Sequence, residues 1–358
     1  MTRRSALSLV LAVLVGVTLA ADPAAAQQKW TLKYGHVGPA TDVSDDHIPG
    51  LWLKSFLEGR SNGRIKVEIY PASQLGDFRA LIEGVQLNTV ELAHTSVGGV
   101  GQFFPELQVV ELPYAIPDDL VAEKLGRHRF FDDIRDAVLK KTGNVRLMAA
   151  SNTGRFRSFF TTKKPIKSAT DLKGIKMRTI DSPMEMEFVR FFGGNPTPVV
   201  WGELYTSLAT GVVEGTKNAA TDIVPNNMHD SLKHVVLDEH AYLWGFYWMS
   251  DKWLKGLPRD LQSLVIDGVV QMADMQTNWN KQYENKSLEL FAKAGGKVYV
   301  PTAEERATFL KGRDHMRQWW VQKYGKEWLD RLEKAVAQVQ ADIEKDRQRI
   351  GAGSGAKK

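Results

Sequence analysis

Apolar residues in this chain change their spacing in a repeating order, from two-residue alternation to a helical period and back. Trp30, Leu32 and Tyr34 line one face of a strand. Ile48, Leu51, Trp52 and Phe56 share one side of a helix running from about residue 45 to 60, and Asn62-Gly63 is a stop and turn signal. Ile65, Val67 and Ile69 alternate again. Phe78, Leu81, Ile82 and Val85 fit the i, i+3, i+4, i+7 template inside a helix expected over 76–88. A short strand over 91–95 then runs into a glycine-rich loop at 97–101. Strand, helix, strand in this order builds parallel sheets covered by helices, so the expected class is α/β.

A second block repeats the pattern. Strands are expected at 145–151, 155–161 and 175–180, and Ser182-Pro183 is an N-cap with proline at the first helical position. Residues 201–210 read as a helix with Trp201, Leu204, Tyr205 and Leu208 as its stripe. Residues 234–238 and 242–248 read as extended. In the latter both alternating sets are apolar, which is the mark of a strand buried on both faces. From Pro258 the chain turns helical. A long helix starts at Leu261 and runs to about Ala294, a short strand follows at 297–300, and two helices close the chain.

The first residues read as a leader rather than as part of the fold. Arg3 and Arg4 precede an apolar run from Ala6 to Ala20, and Ala24-Ala25-Ala26 is a small-residue cleavage site, so 1–26 is expected to be a signal peptide. The run is shorter than the roughly 20 residues of a membrane span, and charges interrupt every later apolar stretch, so the protein is expected to be exported and not membrane-embedded. There is no cysteine, which excludes disulfides, thiolate metal sites and cysteine nucleophiles. The net charge of +5 is mild and evenly spread; it favours anionic ligands by steering and gives no footprint for nucleic acid.

No local enzyme motif is present: no H-E-x-x-H, no G-x-S-x-G, no phosphate loop. None of the eight histidines forms an i, i+4 pair, so no metal or other cofactor is expected. The informative residues are polar groups at strand ends, where open α/β sheets bind their ligands. Arg178 ends the strand at 175–180, and Asn218 follows the glycine break at Gly215. Arg155 and Arg157 start another strand, and His36 ends the first. A guanidinium fork matches a carboxylate, and an asparagine adds a hydrogen bond. Trp201 is the candidate cleft wall.

Residues 171–178, Asp-Leu-Lys-Gly-Ile-Lys-Met-Arg, resemble the D-L-K-G-x-K-x-R segment of DctP-type solute-binding proteins of TRAP transporters. Pro196-Thr197-Pro198, Trp201, Glu203-Leu204-Tyr205 and Gly211-Val212-Val213-Glu214-Gly215 follow at that family's spacing. Pro71-Ala72-Ser73-Gln74-Leu75-Gly76, Phe104-Pro105-Glu106 and Leu112-Pro113-Tyr114 are also similar to its signatures. The resemblance implies a two-lobed periplasmic-binding-protein-like fold, with a long helix spanning both lobes and a ligand cleft between them. Lobe I would comprise 27–152 plus 240–282. Lobe II would comprise 153–239 plus 283–348 with the C-terminal helices, leaving 349–358 as a disordered tail. It further implies a periplasmic, non-enzymatic receptor for a small organic acid anion that works with TRAP membrane subunits. Arg178 would make the main salt bridge, Asn218 a second contact, and Arg157 or Arg155 would be the second arginine. Where the family usually has Glu-Asn, this chain has Lys217-Asn218, which implies a cation near the cleft. A C4-dicarboxylate, sugar acid, 2-oxo acid or aromatic acid would each satisfy this set. The rival readings are a secreted enzyme using Glu203 or His36 and a ligand-sensing partner of a membrane signalling protein.

Overall fold

The computed structural model describes residues 28–354, so the expected signal peptide lies outside the described residues. Among the described residues nine strands form one sheet: β1 (Trp30–Gly35), β2 (Ile65–Tyr70), β3 (Leu92–Thr95), β4 (Val145–Thr161), β5 (Lys176–Thr179), β6 (Asn195–Pro198), β7 (Gly215–Asn218), β8 (His234–Ser250) and β9 (Lys297–Tyr299). Their order is β2-β1-β3-β8-β4-β7-β5-β6, with β9 beside β8. The centre is an antiparallel pair of 17-residue strands, β4 and β8. One end of the pair carries the parallel set β2-β1-β3, and the other end carries β7-β5-β6. Each long strand therefore belongs to both lobes.

The long strands correct the expectation of two separate strands in each place. Pairing continues through 145–161 with register shifts between Asn152 and Arg155 and between Arg157 and Phe159. Gly154 has φ 152° and Arg155 φ 64°, and Glu239 on β8 has φ 52°. Bulges of this kind bend a strand and sharpen its twist without ending it. Gly154 is required there: a Cβ would stand 2.7 Å from both Ala219 Cβ and Leu243 Cδ2.

The long helix, Arg259–Lys293, has three sections. Leu261, Val265, Val269 and Met272 pack in the first lobe's core with Leu53, Tyr34 and Tyr247. Phe291 packs in the second with Phe160, Leu204 and Val235. Between them Gln276 and Asn280 are buried polar residues, placed where the helix passes the bulged strands. Asn280 donates to the Asn152 carbonyl at 3.0 Å.

Several local expectations change. Residues 97–100 form one helical turn rather than a loop. Residues 201–203 are a 3-10 turn that precedes the helix Leu204–Ala209, so Trp201 leaves the stripe of the buried Leu204 and Leu208. Tyr205 is exposed and donates to Asp230 at 3.1 Å. The helix Ala303–Tyr324 packs on the helix Pro183–Phe191 of the second lobe. The last helix instead lays Leu332, Val339 and Ile343 against the first lobe's helices at 119–142. It continues to Ser354, into the stretch expected as a disordered tail.

Candidate functional site

The carboxyl ends of β1, β3, β5 and β7 meet at one cleft beside the bulge of β4, enclosing about 620 Å³ that is partly open to solvent. Val37, Gly38 and the Ser44–Asp46 turn line it from the first lobe, with Phe78, His94 and Ser96. Thr153, Arg157, Arg178, Trp201, Asn218 and Asp222 line it from β4 and the second lobe. This is the place where a twisted parallel sheet leaves backbone ends and loops free to hold a ligand.

Arg178 is buried, 2% exposed. Its Nε donates to the Val199 carbonyl at 3.0 Å, and its guanidinium lies 5.7 Å from the Trp201 ring centroid. Among the described residues no carboxylate comes within ion-pair distance of it. Burial lowers its pKa to about 10, partly opposed by Glu185, so it stays a cation at neutral pH. A buried guanidinium with a free fork is the costly half of an ion pair waiting for an anion.

Arg157 also reaches the cleft and is 2% exposed, but its charge is already shared. It donates to the Lys217 carbonyl at 3.0 Å and lies 3.4 Å from Glu111 and 3.6 Å from Glu185. Burial opposes its charge, yet Glu111 and Glu185 hold its pKa above the ordinary value. Lys217 turns the other way from Asn218, as neighbours on a strand must. Its Nζ lies 3.1 Å from Glu185, behind the sheet, so the expected cation beside the cleft is absent from the cleft lining. Asn218 is fixed on both sides of its amide: Nδ2 donates to Asp222 at 2.9 Å, and Oδ1 accepts from Thr216 at 2.7 Å.

Two expected residues lie outside the cleft. Arg155 takes a left-handed backbone at the bulge, and its side chain pairs with Asp119 and Glu284. His36 sits one layer behind, stacked on Tyr34 and 3.8 Å from Asp46, and burial lowers its pKa to about 4. Glu203 is exposed and does not line the cleft.

The residues that sequence reasoning missed are acidic. Asp46 lies 2.8 Å from His94 and accepts from Gly38 N at 3.1 Å and from Gln276 at 3.0 Å. Burial alone would raise Asp46, but His94 overrides it and holds the carboxyl down at about 2. Asp45 accepts through Oδ2 from Thr153 (2.8 Å), Gln276 (3.1 Å) and Asn280 (2.9 Å). Burial and the neighbouring Asp46 raise it to about 7. Asp222, half-buried beside Asn218, is raised to about 6, chiefly by desolvation. In the sequence, Asp45 marks only the start of a helix, and nothing near Asp46 sets it apart. A carboxylate four residues after Asn218 was the one local hint of Asp222. Among the described residues no group of three or more His, Asp or Glu side chains is placed to hold a metal ion.

Comparison with known proteins agrees with this geometry. The family described as bacterial extracellular solute-binding protein, family 7 (DctP), matches residues 34–327. The sialic acid-binding periplasmic protein SiaP of Vibrio cholerae is 26% identical over 274 residues, which are 76% of this chain and 84% of that protein. The crystal structure of a TRAP periplasmic solute-binding protein from Desulfovibrio salexigens with bound orotic acid is 25% identical at TM-score 0.80, covering 87% of this chain and 100% of that one. The corresponding protein from Polaromonas sp JS666, bound to D-erythronate, is 26% identical at TM-score 0.79, covering 85% and 98%. The match spans the sheet, both lobes and the cleft between them, and the chain belongs to the DctP family of bacterial extracellular solute-binding proteins.

Proposed function

We propose that this protein is an extracytoplasmic receptor that captures a small organic acid anion in the cleft and hands it to the membrane subunits of a TRAP transporter. The observation that carries this reading is Arg178, a buried cation on the cleft wall with no counter-ion in ion-pair distance among the described residues. The ligand carboxylate takes the free edge of its guanidinium, with Asn218 and Trp201 beside it. Arg157 shapes the site and stays neutralised by Glu111 and Glu185. Relatives in this family bind carboxylate-bearing ligands, among them sialic acid, orotic acid and D-erythronate, which supports an acid here.

The lobes divide at the bulges near residues 152–155 and 239, and closure over the anion is the state the membrane partner recognises. Among the described residues no helix is long and apolar enough to cross a membrane. We assign residues 1–26 to an export signal, placing the receptor in the periplasm. The reaction is binding without chemistry: the two side chains an enzyme reading would use, Glu203 and His36, do not line the cleft.

Losing the partner of a buried ligand charge costs about 2–5 kcal/mol, so Arg178→Ala should weaken binding at least roughly 30-fold. Calorimetry on protein refolded to remove carried ligand reads this directly. Unchanged affinity in a folded Arg178→Ala variant overturns the assignment.

A further inference from the structure

The cleft is not uniformly made for anions. Asp222 lines the same cleft as Arg178 and Asp45, close enough for its charge to act on each of them. Asp45 spends only Oδ2 on Thr153, Gln276 and Asn280, and Asp222 spends only Oδ2 on Asn218 and the Ala219 amide. Among the described residues no donor reaches Oδ1 of either, and neither Oδ1 is sealed from solvent. Both residues line the cleft, so each offers it a free acceptor. The nearby cations offset these charges only in part, Arg157 acting on Asp222 and His94 on Asp45. Arg157 and Lys217 are committed to Glu111 and Glu185, and His94 to Asp46.

We infer that the ligand is a monocarboxylate carrying hydrogen-bond donors, hydroxyl or ammonium, on the part remote from its carboxylate, and that Asp45 and Asp222 are specificity residues rejecting a second carboxylate. This rests on the carboxylate reading of Arg178 given above. A donor placed at either Oδ1 makes a charge-assisted hydrogen bond. Above about pH 7, where both acids are ionised, a second anion placed there meets two carboxylates inside a partly desolvated cleft, where repulsion is poorly screened.

The test is calorimetry at about pH 8, above the raised values of both acids, with pairs of ligands that differ only at the far group: gluconate against glucarate, and 4-hydroxybutyrate or 4-aminobutyrate against succinate. The donor-bearing member of any pair that binds should be favoured by roughly 100-fold or more, since like-charge juxtaposition costs several kcal/mol. Asp45→Asn and Asp222→Asn keep an acceptor oxygen and remove the charge, so each should narrow that ratio roughly tenfold. A diacid that binds as tightly as its partner, or a ratio untouched in both folded variants, overturns the inference and leaves the carboxylate reading standing. If neither variant folds, the wild-type ratio decides alone. Silence from every acid in the panel would fell the carboxylate reading, and the inference with it.

Discussion

Lys217→Met separates a structural cation from a ligand-binding one. The ammonium is 2% exposed and 3.1 Å from Glu185, which is itself 4% exposed. Its removal leaves Glu185 with only a share of Arg157 at 3.6 Å. Breaking a buried ion pair by deleting one partner costs about 3–5 kcal/mol. Because Arg157 still supplies some charge, the lower end applies, about 3 kcal/mol. At about 2.1 cal/mol/K per residue, a folded chain of this size loses roughly 4 °C of Tm. Glu185→Met combined with Lys217→Met leaves Arg157 and Glu111 as a balanced pair, so the double variant should be more stable than the single. A urea titration followed by tryptophan fluorescence reads all three proteins. Acid stability supplies a second readout. Burial alone would raise Glu185, but Lys217 and Arg157 override it and hold it near 2. A depressed carboxyl gives stability that is fully present above its unfolded pKa and lost as pH falls from about 4.5 towards 2. Lys217→Met should flatten that loss. Ligand affinity should change less than about threefold, since surface and rear-face changes away from the ligand are worth roughly ±0.5 kcal/mol. A Lys217→Met protein as stable as wild type but more than tenfold altered in affinity would refute the reasoning and put the cation in the cleft.

Further outcomes follow from other places in the fold. Gly154→Ala forces a left-handed backbone and a Cβ 2.7 Å from Ala219 Cβ; about 2–4 kcal/mol of stability should go, and an unchanged urea midpoint would show that the bulge relaxes freely. Asp45 and Asp222 have folded pKa values raised to about 7 and about 6, chiefly by burial. A raised carboxyl binds its proton more tightly in the fold, so the ligand-free protein should lose stability as pH rises from about 4 to 7. Asp45→Asn should shrink that fall in a thermal scan across pH, and an equal fall in both proteins would contradict the raised value. Arg155→Ala should leave affinity within about twofold because its side chain pairs with Asp119 and Glu284 outside the cleft; calorimetry checks this.

What was legible in the sequence was whatever a short window could carry. Alternation at 65–69, the Asp77-capped helix Phe78–Leu87 and the doubly buried strand ending at Ser250 each follow from local periodicity and capping. That Arg178 and Asn218 would face one cleft was legible because strand ends in a parallel sheet converge. The acidic wall was not legible. Asp45 meets Gln276 across 231 positions and Asn280 across 235, and no window joins them. The two bulges hid in the same way: a break in local pattern reads as two strands, and only pairing with a long partner shows it to be one.

Lys217 is the instructive case, because its reading needed no long-range contact. Residues 215–218 form a strand paired with β4 and β5, so consecutive side chains must point to opposite faces. Asn218 on the cleft face therefore sends Lys217 to the rear. There Glu111, Glu185 and Arg157 already need charge balance, and two acids with one arginine leave room for one more cation. The substitution that looks like a change of ligand charge is thus a change in the support behind the site. Ligand selection falls instead to the residues that share a face with Arg178 and Asn218 or approach it from the first lobe, Asp222 and Asp45.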